Sequence, residues 1–292
     1  MKKAIFCASA LMFGAVAFAQ HNDSEILQMG VHHDADVKQV GMWLDSEVKQ
    51  YGDDHDADVD QYGIGSDSYI KQTGEENEAD VLQTRWHNDS YIRQKGEDNE
   101  ADVEQTGSYN ESVVLQDDED NEAEVKQAGN GNYAKISQNF YYSYGGDNFA
   151  EVDQDGNNNV GMVFQDYHKS ADNYADVDQK GDDNYSIVTQ WGEDNEADTE
   201  QDGDDNDSEV FQMGRENDTY VSQYGNYNDS EVMQFGKGND ATVKQGGWAN
   251  DSFVSQHGNW NDATVTQHGI HDNSSVVQFG MGNDATVYQN NL

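Results

Sequence analysis

The residues of this sequence best suited to chemistry are carboxylates that recur at a fixed spacing. Asp36, Asp58, Asp80, Asp102 and Glu124 follow one another at intervals of 22 residues. Carboxylate oxygens are the ligands that Ca²⁺ prefers, so these five residues are calcium candidates. The nine-residue Gly-Gly-x-Gly-x-Asp pattern of calcium-binding β-rolls is absent. The favoured interpretation is therefore a solvated acidic face screened by cations, with no dedicated metal site and no cofactor.

Histidines and hydroxyl groups offer two further possibilities. His33 and His55 are also 22 residues apart, which would bring two imidazoles within ligand reach if the chain stacks at that period. The alternative, that both are tolerated substitutions in a repeated position, is favoured. Ser, His and Asp are abundant, but no nucleophile elbow, metal-binding helix motif or phosphate loop occurs. We predict that the protein is not an enzyme.

Charge and the first residues restrict the partners and the compartment. The chain has 58 acidic and 15 basic residues, a net charge of −43, which would repel nucleic acid and anionic lipid. Lys2 and Lys3 precede an apolar run that ends near Ala19, which is typical of a secretory signal peptide over residues 1–19. The only cysteine, Cys7, lies within it. We therefore predict a secreted protein without disulfides or membrane insertion.

The rest of the chain is one array of short repeats. Glutamines recur every 11 residues from Gln28 to Gln289 and mark 24 units. The interval is longer only around residues 140–146 and 167–171, which we interpret as insertions in turns. Residues 20–292 therefore form a single repeat domain without an internal boundary.

Each unit has the pattern of a strand and a tight turn. Val or Ile stands two residues before the glutamine, Ser or Ala four before, and Asn six before, so these side chains share one face of a strand. Gly, two residues after the glutamine, suits a turn. Ser and Ala alternate between successive units, as in Ser24, Ala35, Ser46 and Ala57. The true period is therefore 22 residues.

A 22-residue period with two strands predicts an all-β fold, namely a flattened two-sheet β-solenoid of about twelve two-strand rungs. Each strand would pair with the strand two units away and stack like residues on one another. Twelve rungs at the usual strand spacing give a body about 58 Å long. Stacked amides would satisfy the buried polar groups along the axis. The predicted structural ladders are Gln28, Gln50, Gln72, Gln94, Gln256, Gln267, Gln278, Gln289, Asn228, Asn239, Asn250, Asn261, Val232, Val243, Val254 and Val265.

The paired units resemble the curlin repeat of curli fibre subunits. In that family a strand ending in Gln-x-Gly leads through a short turn into Asn-x-Ala and a second strand ending in Gln. Here the segments Ser252–Gly258 and Asn261–Gln267 have that form. The resemblance implies a secreted structural subunit that polymerises end to end into extracellular amyloid fibres for biofilm matrix and adhesion. It also implies a nucleator subunit and an outer-membrane secretion pore as partners.

The ends of the array suggest how copies would meet. The first repeat begins almost directly after the expected cleavage site, and only three residues follow Gln289. Without caps, the terminal strands would expose unpaired backbone groups that another copy could complete. The alternative is a monomeric acidic β-solenoid that binds calcium or a surface ligand. Fibres formed by the purified protein would favour the first hypothesis, and a stable monomer the second.

Overall fold

The computed structural model describes residues 21–139 and 145–291, with the backbone alone of residues 167–169. The expected signal peptide and residues 140–144 of the first insertion lie outside the described residues. The described chain forms 24 strands: β1 (Asp23–Val31), β2 (Asp36–Met42), β3 (Asp45–Asp53), β4 (Asp56–Ile64), β5 (Asp67–Glu75), β6 (Glu78–Trp86), β7 (Asp89–Glu97), β8 (Glu100–Ser108), β9 (Glu111–Glu119), β10 (Glu122–Asn130), β11 (Tyr133–Gln138), β12 (Phe149–Asn157), β13 (Val160–Ala171), β14 (Tyr174–Asp182), β15 (Tyr185–Glu193), β16 (Glu196–Asp202), β17 (Asp207–Arg215), β18 (Asp218–Asn226), β19 (Asp229–Lys237), β20 (Asp240–Trp248), β21 (Asp251–Asn259), β22 (Asp262–Ile270), β23 (Asn273–Met281) and β24 (Asp284–Gln289).

The strands follow from the alternation of side chains in each unit. In β5 the small, β-branched and glutamine positions Ser68, Ile70 and Gln72 are buried, while the residues between them are exposed or half-buried. Such a period of two is that of a strand with one face on a core. The sequence contains no proline to interrupt the backbone hydrogen bonds.

The strands are sorted into two parallel sheets. One sheet holds the twelve odd-numbered strands in order, and the other holds the twelve even-numbered strands. Pairing is in register at a spacing of one period, so that Ser24 lies beside Ser46 and Gln28 beside Gln50. One odd-numbered strand and the even-numbered strand after it form one rung, giving twelve rungs. The predicted all-β, two-sheet solenoid is confirmed.

The core is a thin apolar layer between the two sheets. It contains the Val and Ile residues of both sheets, the Ala residues of the even-numbered strands and Ala134 of β11 in one cluster that runs from Val48 to Val276. Thr199 replaces the β-branched apolar residue in one unit; it is fully buried, and its hydroxyl has no hydrogen-bond partner. Since each rung adds only a few side chains, stability accumulates through neighbouring rungs.

Glycine is required at the turns because the rungs approach closely there. Gly52 has φ +133°, and a Cβ atom at this position would lie 1.8 Å from the carbonyl oxygen of Gly74 on the next rung. At Gly52 both the backbone conformation and the contact exclude a side chain. Five of the 24 units lack this glycine, and in two of them Arg85 and Asp118 take its place with φ angles of 82° and 73°.

Neither insertion interrupts the stack. Gln127 donates to Gln154 at 2.9 Å across the first insertion, and Gln165 donates to Gln190 at 2.9 Å across the second. The sequence placed the second insertion in a turn between strands. The structure instead extends β13 to Ala171 and takes up the extra residues as two register shifts against β15, because a bulge absorbs residues without breaking the sheet.

In the parts of the chain that the structure describes, no helix is long and apolar enough to cross a membrane.

Candidate functional site

Buried glutamines form a continuous ladder in each sheet. The side-chain Nε2 of each glutamine donates to the Oε1 of the glutamine one rung further along the chain, for every successive pair in both sheets. The distances lie between 2.8 and 3.1 Å. Among the residues chosen from the sequence, the ladder contains Gln28, Gln50, Gln72, Gln94, Gln256, Gln267, Gln278 and Gln289.

The same amide group also ties the two sheets together. Gln50 Nε2 donates to the backbone oxygen of Asp34 at 2.6 Å. Asp34 precedes β2, a strand of the opposite sheet. Gln50 Nε2 also lies 3.2 Å from the backbone oxygen of His55 in the following turn. Gln50 therefore connects its own sheet, the facing sheet and a turn, and Gln72 and Gln94 make the same three contacts. Removing one of these glutamines would leave several buried groups without partners.

Asparagines form a second ladder whose donors point the opposite way. The backbone N and side-chain Nδ2 of Asn239 donate to the Oδ1 of Asn217, one rung earlier, at 3.3 and 3.0 Å. The Nδ2 also donates to the backbone oxygen of Gly258 on the next rung at 3.1 Å. Asn228, Asn250 and Asn261 donate to the earlier rung in the same manner. The stack therefore has a chemical direction, since along the ladders each glutamine Nε2 donates to the next rung, whereas an asparagine Oδ1 accepts from the next rung, as Asn217 does from Asn239.

The valines chosen from the sequence lie between these ladders. Val232, Val243, Val254 and Val265 are fully buried in the core cluster. The apolar layer and the two amide ladders thus share one interior.

The acidic candidates lie in one column on the outer face of the even-numbered sheet. Asp36 pairs with Asp58, Asp58 with Asp80, Asp80 with Asp102, and Asp102 with Glu124. The column continues through Glu151, Asp176 and Asp198. Sequence reasoning missed these last three residues, although counting the column across both insertions would have found them. Among the described residues, no group of three or more His, Cys, Asp or Glu side chains is arranged to hold a metal ion.

Proximity of the carboxylates changes their acidity. Loss of hydration on the crowded face, followed by the charges of Asp102 and Asp58, raises the pKa of Asp80 to about 6. Loss of hydration together with the charges of Glu151 and Asp198 raises the pKa of Asp176 to about 7. The pKa values of Asp58 and Asp102 are raised for the same reasons. Protons or counter-ions therefore relieve a repulsion that the fold imposes.

The two histidines are members of the asparagine ladder. Their rings are parallel, with centroids 5.1 Å apart. His33 Nδ1 accepts from the backbone N of His55 at 3.3 Å, and His55 Nδ1 accepts from the backbone N of Asn77 at 3.2 Å. His55 Nε2 lies 3.1 Å from the backbone oxygen of Tyr51. A neutral imidazole thus supplies the acceptor and the donor that asparagine supplies elsewhere, and burial lowers the pKa of His55.

Within residues 21–139 and 145–291, both ends of the solenoid are open. There the first strands, β1 and β2, pair only with β3 and β4, and the last strands, β23 and β24, pair only with β21 and β22. Ile26 in β1 is 45% exposed, whereas Val48, its partner in β3, is fully buried. Each end therefore presents an edge of both sheets and a partly exposed cross-section of the core.

Comparison with known proteins assigns a family to this pattern. The model of the curlin-associated repeat matches seven segments that together cover more than half of the chain, namely residues 34–63, 96–118, 171–203, 192–225, 203–236, 236–269 and 258–290. The curated proteins contain no match to the chain.

Proposed function

The chain belongs to the curlin repeat family, and from this premise we propose that it is a secreted structural subunit that polymerises end to end into extracellular curli-like amyloid fibres. In this proposal the fibre lies at the cell surface and contributes to biofilm matrix and adhesion. The main partner of each copy is another copy. The family resemblance adds a nucleator subunit and an outer-membrane secretion pore as further partners.

The observation that supports this proposal best is the open edge of both sheets at each end. Edge strands expose unpaired backbone N–H and C=O groups, which soluble proteins usually cover. At one end these are the groups of β1 and β2, and at the other those of β23 and β24. A second copy supplies strands with the same columns at the same spacing. Stacking copies would therefore continue both sheets and both amide ladders, as in cross-β assemblies.

Charge opposes this growth and makes it dependent on conditions. Two carboxylates one rung apart repel each other by about 1 kcal/mol even in water. Salt, divalent cations or acid would reduce this repulsion. We expect assembly to accelerate at seawater-level salt or in millimolar Ca²⁺, compared with low-salt buffer containing a chelator.

The test is whether the purified chain forms fibres that seed further growth. We expect unbranched fibres in the electron microscope, binding of an amyloid dye, and loss of the lag phase on addition of sonicated fibres. The matched control is the same incubation without seeds. A monomer that stays soluble on a sizing column after seeded incubation at high salt would contradict the proposal and support a monomeric ligand-binding solenoid.

A further inference from the structure

We propose that successive copies join in one register, in which Gln278 and Gln289 of one copy stack on Gln28 and Gln39 of the next copy, and that Asp272 of the first copy receives the side-chain amide of Asn22 of the next. This inference rests on the proposed function. It specifies the surface on each end, the direction of stacking and the residues that fix the register.

The columns of the two sheets continue through such a junction without a fault. The last odd-numbered strand, β23, carries Ser274, Val276 and Gln278 inward, and β1 carries Ser24, Ile26 and Gln28 at the same positions. The last even-numbered strand, β24, likewise matches Ala285, Val287 and Gln289 to Ala35, Val37 and Gln39 of the next copy. Because the number of strands is even, the serine and alanine columns stay separate. A shift by one strand would stack serine on alanine.

The direction of the glutamine ladder leaves complementary groups at the two ends. Gln278 Nε2 and Gln289 Nε2 donate only to backbone oxygens, of Asp262 and Asn273, each at 2.8 Å. They lack the Oε1 acceptor that every earlier glutamine has on the next rung. Gln28 Oε1 and Gln39 Oε1 are the acceptors of the first rung, and no earlier rung among the described residues supplies them with a donor. Stacking the last rung on the first rung of the next copy pairs these groups.

The asparagine column leaves a second complementary pair. Asp272 is the last residue of the column on the odd-numbered side; it is 2% exposed, and its Oδ2 has no hydrogen-bond partner. Asn22 is the first residue of the same column, and its Nδ2 has no partner either. In the second half of this column the Nδ2 donates to the amide oxygen of the rung before, as Asn250 does to Asn228 at 3.0 Å; Asn184, Asn206 and Asn228 do the same. The junction therefore gives Asp272 the donor that it lacks.

The other atoms of both residues are already used within the chain. Asn22 Oδ1 accepts from the backbone N of Leu44 at 3.2 Å. The backbone N of Asp272 donates to Asn250 Oδ1 at 3.0 Å, and its Oδ1 accepts from Asn291 Nδ2. Each residue thus retains one unpaired polar atom, Asn22 Nδ2 in the first rung and Asp272 Oδ2 in the last. A buried carboxylate oxygen without a donor is costly, and the next copy removes that cost.

Apolar side chains at the two ends form an outer seam only in this register. In β1 the outward residues Leu27, Met29 and Val31 are exposed, and in β23 so are Val277, Phe279 and Met281. The register places each residue of the first set beside one of the second. The corresponding interior positions are charged in β7, namely Arg93, Lys95 and Glu97, and apolar again in β17 and β19, for example at Phe211 and Phe235. The junction buries the apolar surface that both ends expose.

The acidic columns are also interrupted at the junction. β23 begins with Asn273 where most strands have Asp or Glu, and Thr286 in β24 stands in the column that begins with Asp36. In the proposed register these neutral residues face Asp23 and Asp36 of the next copy. Two of the outer carboxylate columns thus meet a neutral residue at the seam, which lowers the repulsion that each added copy must overcome.

Disulfide cross-linking tests the register directly. In a Cys7→Ala background, Leu27→Cys and Val277→Cys in one chain place two cysteine Cα atoms about 5 Å apart across the junction, within the Cα range of a disulfide. The matched control, Lys49→Cys with Val277→Cys, places them about one rung further apart, roughly 10 Å. We expect mild oxidation of fibres to give a ladder of covalent multimers for the first pair, and at least about fivefold less cross-linking for the control.

The outcomes separate the register from the proposed function. Fibres without cross-linking of the first pair, or with equal cross-linking of both pairs, would overturn the register and leave the fibre proposal standing. Failure of all variants and of the unmodified chain to form fibres would overturn the proposed function itself. Cross-linked dimers that form in the absence of fibres would also contradict the proposal, because this junction would then not be the contact by which fibres grow.

A charge rescue tests the pair formed by Asp272 and Asn22. Asn22→Asp keeps the acceptor for Leu44 but sets a carboxylate against Asp272, and we expect elongation from seeds of the same variant to slow about tenfold or more. Asp272→Asn alone restores the residue found in the interior rungs and should change elongation by less than about threefold. Combined with Asn22→Asp, it should return the rate to near that of the unmodified chain. Equal slowing in the single and double variants would mean that the two residues do not meet.

Discussion

The outer column of the even-numbered sheet divides the molecule into two regions. From Asp36 to Asp198 its eight residues are all acidic, and we call these rungs the acidic stretch. In the last four rungs the same column contains Tyr220, Thr242, Thr264 and Thr286, and we call these rungs the neutral stretch. The interior does not change between them, since Gln83 donates to Gln105 at 2.9 Å in one and Gln245 to Gln267 at 3.0 Å in the other.

The comparison shows that the inward columns determine the fold and that the outward columns are free to vary. Both stretches have the same in-register pairing and the same buried Val and Ala columns, although Thr199 and the two insertions interrupt the pattern in the acidic stretch. The outer column differs throughout, and with it the electrostatic free energy of each rung. We therefore expect the acidic residues to adjust solubility on a backbone that does not depend on them.

The largest expected effect tests whether both stretches share one backbone. Gly63 in the acidic stretch and Gly247 in the neutral stretch have φ angles of +145° and +114°, and a Cβ atom would lie 1.6 and 2.1 Å from a carbonyl oxygen of the next rung. We expect Gly63→Ala and Gly247→Ala each to lower the free energy of unfolding by about 3 kcal/mol or more. Urea unfolding followed by circular dichroism measures this. Loss of stability in only one variant would show that the stretches are built differently.

A second pair tests the amide ladder in both regions. Gln83→Leu and Gln245→Leu remove side chains that are buried and bonded on both sides. Each leaves a neighbouring glutamine donor or acceptor unsatisfied, and we expect a loss of about 2 to 3 kcal/mol in either stretch. Thr264→Ala, on the outer face, serves as the control and should change the free energy of unfolding by less than about 0.5 kcal/mol. Losses as small as that of the control would mean that the ladders do not stabilise the fold.

Much of this architecture was predictable because it repeats. A single glutamine or valine says little, but a column such as Val232, Val243, Val254 and Val265 fixes both the strand period and the rung length. The same count predicts that the five calcium candidates lie in one column, as the strand pairing has them; calcium binding there stays a prediction. The unpaired Asp272 Oδ2, by contrast, could not be predicted from the sequence. Asp replaces Asn at a single position of this column, and the missing hydrogen bond is evident only from the atoms that surround Asp272 in the folded chain.

The second insertion was harder to place for a related reason. The extra residues near Tyr167 change the spacing of the glutamines but carry no pattern of their own. A turn and a bulge both absorb extra residues while preserving the stack. Only the pairing of β13 with β15 distinguishes them.

A smaller effect is expected from charge, because carboxylates in the outer column lower the free energy of unfolding only where they are stacked. Asp80→Asn removes a carboxylate that lies between Asp58 and Asp102, and we expect a gain of about 1 kcal/mol in the free energy of unfolding at pH 8 and low salt. The raised pKa of Asp80, about 6, means that the folded state takes up a proton more readily than the unfolded state. The stabilising effect of protonation is therefore complete below pH 4 and lost as the pH rises through 6. The gain from the substitution should disappear below pH 4 and in molar salt.

The matched change in the neutral stretch is Thr264→Asp, which puts one carboxylate between Thr242 and Thr286. Without carboxylate partners in its column, this residue should alter the free energy of unfolding less than Asp80 does, and with less dependence on pH. Titration of both variants by urea unfolding between pH 4 and pH 8 gives the comparison. Equal and opposite effects in the two stretches would show that the stacked column contributes no repulsion of its own.

The smallest expected effect lies at the N-terminal end and has the opposite dependence on pH. His55 accepts a backbone hydrogen bond from Asn77 on Nδ1, and burial lowers its pKa below the ordinary value of 6.5. Its contribution is present above pH 6.5 and is lost as the pH falls through the lowered pKa, because the unfolded chain takes up the proton first. Asp53 and Asp54 favour the charged ring and His33 opposes it, which keeps the effect small.

Hydrogen exchange at the amide of Asn77 measures this local contribution. Between pH 7 and pH 5 we expect protection of this amide, corrected for the intrinsic exchange rate, to fall by about threefold to tenfold. Protection of the matching amide of Asn239, which donates to an asparagine at 3.3 Å, should not fall. His55→Asn restores the acceptor of the interior rungs and should abolish the difference between the two amides. A fall in protection that persists in His55→Asn would have to come from the neighbouring carboxylates, and the histidine pair would then play no part in the acid response of the first rungs.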